Sequence, residues 1–121
     1  MIERLSSRQA FTRLRAEGHR RGRGPLRLVI RPDTTQSARF AVAIPRSVGN
    51  AVVRNRIKRR LRAVLHELDG TGAGIAGGDH LIRVTAPIEH WSHDTLRSTM
   101  AELLATGSGS TETPRIGEER R

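Results

Sequence analysis

Between Arg46 and Arg62 the chain places seven cations, Arg46, Arg54, Arg56, Lys58, Arg59, Arg60 and Arg62, and no carboxylate. Asn50 and Asn55 stand among them as neutral hydrogen-bonding groups. Guanidinium groups offer planar forks of N–H donors that match phosphate oxygens and base edges. The chemistry this pattern suits is the binding of a polyanion. Groupings that would serve catalysis are missing by comparison. His90 and His93, three residues apart beside Asp94, loosely suggest metal ligation, but they read better as the polar start of a capped helix. His66-Glu67 is not followed by the second histidine of an H-E-x-x-H motif. There is no cysteine, hence no thiolate nucleophile and no disulfide. The carboxylates are scattered singly, so no paired-acid site is indicated. No catalytic residue is assigned, and the sequence marks no metal position.

The cations must be carried by a helix that also reaches a core. At 100° per residue, Val53, Ile57, Leu61, Val64, Leu65 and Leu68 fall within a sector of about 120°, and the cations fill the remaining arc. Asn50 is a good N-cap and Gly70 lies just beyond the last apolar position, so a helix is expected from about residue 50 to residue 68. Arg54, Lys58 and Arg62 repeat every four residues, which is repulsive in the free protein and relieved by a bound anion.

Around this helix the pattern predicts an α+β fold with a small mixed sheet and about three helices. Ser6 to Gln9 fits a capping box with Ser6 as N-cap, opening a short helix that carries Ala10, Phe11 and Leu14 and stops at Gly18. Residues 19–25, HRRGRGP, read as a flexible basic loop. Residues 26–31 and 38–45 read as strands joined by the turn at 32–38, which predicts an antiparallel pair. Residues 71–79 form a Gly-rich linker that lacks the ending of a P-loop. Residues 80–85 read as a third strand, parallel to the one before the basic helix. Ser92 can cap a last helix with Leu96, Met100, Leu103 and Leu104 on one side. Residues 1–105 are expected to form one domain and residues 106–121, nearly devoid of apolar side chains, a disordered tail.

The 121 residues carry a formal net charge of +10, with 22 Lys and Arg against 12 Asp and Glu. Residues 1–31 and 46–62 each contribute +7, while residues 63–105 contribute −4. Such a balance favours a nucleic acid, because phosphate neutralisation supplies most non-specific affinity. Phe11, Phe40 and Trp91 are the only aromatics. The strands therefore lack stacking platforms, and recognition should rest on phosphates and shape. Phe40 reads as core, whereas Phe11 fits either core or an exposed stacking position. No apolar run approaches a membrane span, and the basic helix lacks the aromatic anchors of a membrane-surface helix. A soluble cytoplasmic protein with neither a membrane nor a small-molecule substrate is expected.

Residues 46–62, RSVGNAVVRNRIKRRLR, resemble the signature of the bacterial ribonuclease P protein family, x-G-N-A-V-x-R-N-R-x-K-R-x-x-R. Gly49, Asn50, Ala51, Val52, Arg54, Asn55, Arg56, Lys58, Arg59 and Arg62 match it. Phe11 to Gly18 and Asp79 to Val84 extend the resemblance over roughly residues 5–105. The resemblance implies that the basic helix lies in a left-handed β-α-β crossover, against the general right-handed rule. It implies a protein subunit that binds a large catalytic RNA and the 5′ leader of precursor tRNA. The hydrolysis would be performed by the RNA with its magnesium ions, and the protein would hold no cofactor by any motif of its own. Arg46, Asn50, Arg54, Asn55, Arg56, Lys58, Arg59 and Arg62 would contact RNA, and Phe11 and Arg15 would line the leader cleft. The chain departs from the family where a second aromatic is common, at Arg15, where glycine is common, at Ala41, and at Pro45, Arg46 and Ser47, where one cation is lost. An alternative is a non-catalytic RNA-binding protein of ribosomal or chaperone type. A helix-turn-helix DNA regulator fits poorly with the strands flanking a long helix.

Overall fold

The computed structural model describes residues 2–70 and 75–105. Along the chain the elements are β1 (Ile2–Arg4), α1 (Arg8–Glu17), β2 (His19–Arg23), β3 (Leu26–Pro32), β4 (Ala38–Ala43), a single 3-10 turn (Arg46–Val48), α2 (Ala51–Asp69), β5 (Gly78–Val84) and α3 (His93–Ala105). The strands make one sheet in the order β1-β4-β5-β3-β2. β4 and β5 are parallel, so β4, α2 and β5 form the expected β-α-β unit.

The period-two pattern of the strands assigns each face its partner. Leu26, Leu28, Ile30, Ala38, Phe40, Ile82 and Val84 share a core with Ile57, Leu61, Val64, Leu65 and Leu68 of α2, together with Leu96, Met100 and Leu103 of α3. Full burial of each such Leu or Ile contributes about 2 kcal/mol. The alternate residues point the other way, where Val29 packs with Leu5 and with Ala10 and Leu14 of α1, and Ala41 and Leu81 join from the margin. The sheet thus lies between α1 on one face and α2 with α3 on the other.

Four expectations are corrected. Ser7 rather than Ser6 caps α1, its hydroxyl accepting from the Ala10 N–H at 3.3 Å. Residues 19–23, read as loop, form the outermost strand, paired residue for residue with β3. Its cations are compatible with an edge position, where charge protects an exposed ladder. β3 and β4 are not an antiparallel pair, because β5 inserts between them, antiparallel to β3 and parallel to β4. β5 also starts at Gly78, inside the stretch read as linker. Gly78 has φ +114°, and an added Cβ there would run into the Arg31 carbonyl oxygen, so glycine is what lets β5 enter beside the turn after β3. The proposed tail, residues 106–121, lies outside the described residues, as does part of the linker, 71–74.

Candidate nucleic-acid interface

α2 forms where the sequence places its caps. The Asn50 side-chain oxygen accepts from the Val53 N–H at 3.0 Å, which satisfies one of the free donors of the first turn. Gly49 sits so close that an added Cβ would meet Val53 Cγ1 at 2.7 Å. Ile57, Leu61, Val64, Leu65 and Leu68 are buried, while Asn55, Arg56, Arg59 and Arg62 are exposed and Arg54 and Lys58 half-buried. The apolar stripe and the cationic arc therefore lie as the periodicity requires.

The arc is not neutralised by the described residues. Among the described residues no carboxylate pairs with Arg46, Arg54, Arg56, Lys58, Arg59 or Arg62. Several carboxylates elsewhere have partners: Glu17 with Arg31, Asp79 with Arg39, Glu102 with Arg23, and Glu67 with both His93 and Arg97. Two cations of the helix also serve the fold. Arg54 donates from Nε to the Gly49 carbonyl at 3.1 Å, tying the helix to the loop before it. Arg60 donates to the carbonyls of Ile88, Glu89 and Trp91 and so holds the segment leading into α3. Asn50 likewise spends its side-chain oxygen on the cap.

A cleft of about 420 Å³ opens between β1, β4, the start of α1 and the side of α2. Phe11, Phe40, Ala41, Val42 and Leu65 give it apolar surface, and Arg4, Lys58, Arg62 and His66 line it with basic groups. Phe11 is half-buried, packing against the α1 core while its remaining surface lines the cleft. The structure thus joins Phe11 to Lys58 and Arg62. It leaves Arg15 exposed and outside the lining of that cleft. Arg46, Asn55, Arg56 and Arg59 are exposed and also lie outside it.

Sequence reasoning missed Arg4 and His66. His66 had a signal, since it continues the four-residue spacing of Lys58 and Arg62. Arg4 had none, because a three-residue strand shows no periodicity. Beneath the cleft, Phe40 stacks on His80 with ring centroids 4.2 Å apart and planes inclined by 17°. His80 is fully buried, and desolvation pushes its pKa down to about 4. Among the described residues no group of three or more His, Cys, Asp or Glu side chains is placed to hold a metal ion. His93 instead pairs with Glu67 at 2.8 Å. No helix among the described residues is long and apolar enough to cross a membrane.

An α+β sheet with a cationic helix beside an aromatic-edged cleft is the arrangement of a nucleic-acid-binding protein. A family model described as Ribonuclease P matches residues 2–107. A ribonuclease P protein component of Erythrobacter litoralis is 36% identical over 84 residues, covering 64% of this chain and 69% of that protein. Another, from Shouchella clausii, is 28% identical over 103 residues, covering 84% and 83%. The solved RNase P protein of Staphylococcus aureus superposes with a TM-score of 0.73 at 19% identity, over 87% of this chain and 94% of that one. That of Thermotoga maritima gives 0.72 at 23% identity, over 88% and 99%, and these two likenesses concern the fold. The chain belongs to the ribonuclease P protein family, as the protein component of an endoribonuclease ribonucleoprotein.

Proposed function

We propose that the exposed arc of α2 binds the catalytic RNA of ribonuclease P in the cytoplasm, and that the cleft beside Phe11 receives the single-stranded 5′ leader of precursor tRNA. In this reading Arg46, Asn55, Arg56 and Arg59 meet RNA phosphates outside the cleft. Lys58 and Arg62 face the leader next to Phe11, and Arg54 offers RNA the N–H donors that its Nε bond to Gly49 leaves over. Asn50 acts by fixing the first turn of the helix. Magnesium and the hydrolytic chemistry belong to the RNA, and the protein contributes affinity and alignment.

The observation that carries the proposal is that, among the described residues, the cations of α2 have no carboxylate partner while several acids elsewhere are paired. Unpaired like charge on one helix face is costly alone and is offset when phosphates displace their counterions. The test is cleavage of a precursor tRNA by a bacterial ribonuclease P RNA at low magnesium, with and without the protein. Strong stimulation that is lost in R54A/R59A supports the proposal. A protein that binds RNA tightly but gives no stimulation refutes it.

A further inference from the structure

β1 stops short of the strand it pairs with. It lies beside β4 at Ile2–Ala38, Glu3–Arg39 and Arg4–Phe40, and the Leu5 N–H still reaches the Phe40 carbonyl at 2.8 Å before the chain turns off into α1. Main-chain groups alternate sides along a strand. The Ser37 carbonyl accepts from the Gly78 N–H at the head of β5, and the Phe40 carbonyl faces β1. The N–H and carbonyl of Val42 therefore face the side that β1 has left, and neither has a hydrogen-bond partner among the described residues. Val42 also lines the cleft. An edge residue of this kind offers one donor beside one acceptor, as the pairing edge of a nucleobase does.

The early end of β1 lets the cleft wrap round the edge of the sheet. On one side Phe11 and Ala41 belong to the cluster under α1. On the other, Phe40 and Leu65 belong to the core under α2, with Val42 packed against it and Lys58 and Arg62 on the helix above. Arg4, the neighbour of Phe40 in the sheet, comes in from β1. Arg4, Lys58 and Arg62 thus meet a single carboxylate in the lining, Glu3, and none of the three pairs with an acid among the described residues. A backbone phosphodiester carries one negative charge, whereas a terminal phosphate carries about two. This concentration of cations exceeds what one link of an RNA strand returns, and it suits a run of free phosphates. At about 420 Å³ the cleft has the volume of a small-ligand site.

We infer that the cleft binds a free nucleoside polyphosphate, its base on Phe11 and against the main chain of Val42, its phosphates on Arg4, Lys58 and Arg62. Every base carries a donor beside an acceptor on its pairing edge, so the main chain of Val42 takes any of them and the number of phosphates sets the affinity. The site itself stands on the cleft alone. Its consequence rests on the leader reading: a bound nucleotide occupies the space that the leader needs.

Calorimetric titration of the full-length protein in magnesium-free buffer compares ATP with inorganic tripolyphosphate, which has the phosphates without the base. ATP should bind about tenfold tighter, within what a single stacked base contributes. Phe11→Leu keeps an apolar side chain under α1 and removes the ring. Val42→Pro removes the N–H at an edge where proline is tolerated. Each should abolish most of the advantage of ATP and leave tripolyphosphate binding as it was. Arg62→Gln should weaken both ligands alike, whereas Arg13→Gln, exposed on α1 and outside the cleft, should weaken neither. Equal affinity for ATP and tripolyphosphate overturns the inference, because the cleft then attracts charge and nothing more. An undiminished preference for ATP in Phe11→Leu overturns it too, and that comparison decides alone should Val42→Pro melt early. In the holoenzyme, saturating ATP at constant free magnesium should weaken binding of precursor tRNA and spare mature tRNA. If ATP binds the free protein as expected and precursor binding does not change, the leader reading falls while the nucleotide site stands.

Discussion

Arg60 lies on the cationic arc of α2, yet its guanidinium is turned onto the backbone before α3, donating to the carbonyls of Glu89 at 3.2 Å and of Trp91. It is bound to its own chain, whereas its neighbour Arg59 is exposed with no partner among the described residues. The two adjacent arginines should therefore separate in mutagenesis. Arg60→Ala leaves several carbonyls without a charged donor, at a cost of about 2 kcal/mol, or a fall of roughly 10 °C in Tm for a domain of this size. Arg59→Ala should stay within about 0.5 kcal/mol and lose RNA affinity instead. Thermal unfolding and RNA titration of the two variants provide the check. An Arg60→Ala protein that melts like the unaltered one would show that the α3 contact does not contribute.

The apolar side of the same helix gives the converse prediction. Ile57 is 1% exposed among the core side chains of the sheet. Ile57→Asp would force a carboxylate into that space without a partner, which destabilises by several kcal/mol and should unfold or loosen the domain. Circular dichroism and a denaturant melt decide it: a fully folded Ile57→Asp protein would mean that the faces of α2 are assigned wrongly.

The two faces of α2 are legible in the sequence because every signal for them is local: a 3.6-residue period, an asparagine at one end and a glycine at the other. β2 is not legible, because HRRGR offers no apolar alternation and its pairing with β3 depends on an edge position that sequence does not encode. The neighbours of β3 and β4 are misjudged for a related reason. The shortest connection suggests pairing them, but β5 arrives from roughly forty residues further on and takes the place between. The cations of the site are readable as a class. The division of labour among them is not, since Arg60 is committed by a segment 28 residues away, and Arg4 reaches the cleft only through the register of β1 with β4.

Acid should weaken the fold through His80. Its imidazole is fully buried against Phe40, Nε2 has no hydrogen-bond partner among the described residues, and burial pushes its pKa down from 6.5 to about 4. Above pH 6.5 the ring is neutral in both states and adds no pH dependence. Below it the unfolded chain binds a proton that the folded one excludes, so stability falls as pH drops from 6.5 towards 4, by up to about 3 kcal/mol. Denaturant melts across this range should show the loss, and His80→Phe should flatten it. An equally steep fall in His80→Phe would place the titration elsewhere.

RNA binding by α2 should be steeply salt-dependent. None of the seven cations of residues 46–62 has a carboxylate partner among the described residues, and with Arg60 committed to backbone carbonyls six are left for phosphate. About 0.9 counterion is released per phosphate contact on a duplex, so log affinity should fall with log salt at a slope near −5. Arg59→Ala should reduce the slope by about one. A slope near −1 would mean that most of the arc stays in solvent in the complex.

Recognition and fold are joined at Gly49. Its φ of 166° is ordinary extended backbone, so the glycine is not there for conformational freedom. It is there for space, since an added Cβ would sit 2.7 Å from Val53 Cγ1 and 2.9 Å from Val53 Cβ. Gly49→Ala must push the first turn of α2 away from the preceding loop, straining the Asn50 cap and the Arg54 bond to the Gly49 carbonyl. Overpacking of this kind costs about 1–3 kcal/mol, and it should weaken RNA binding too, because Arg54 and Asn55 ride on the displaced turn. Val53→Ala removes the opposing Cγ atoms. If the clash is the cause, G49A/V53A should therefore be more stable than the two single losses added together predict. Additive losses in that double-mutant cycle would show that the Val53 Cγ atoms are not what excludes a side chain at position 49.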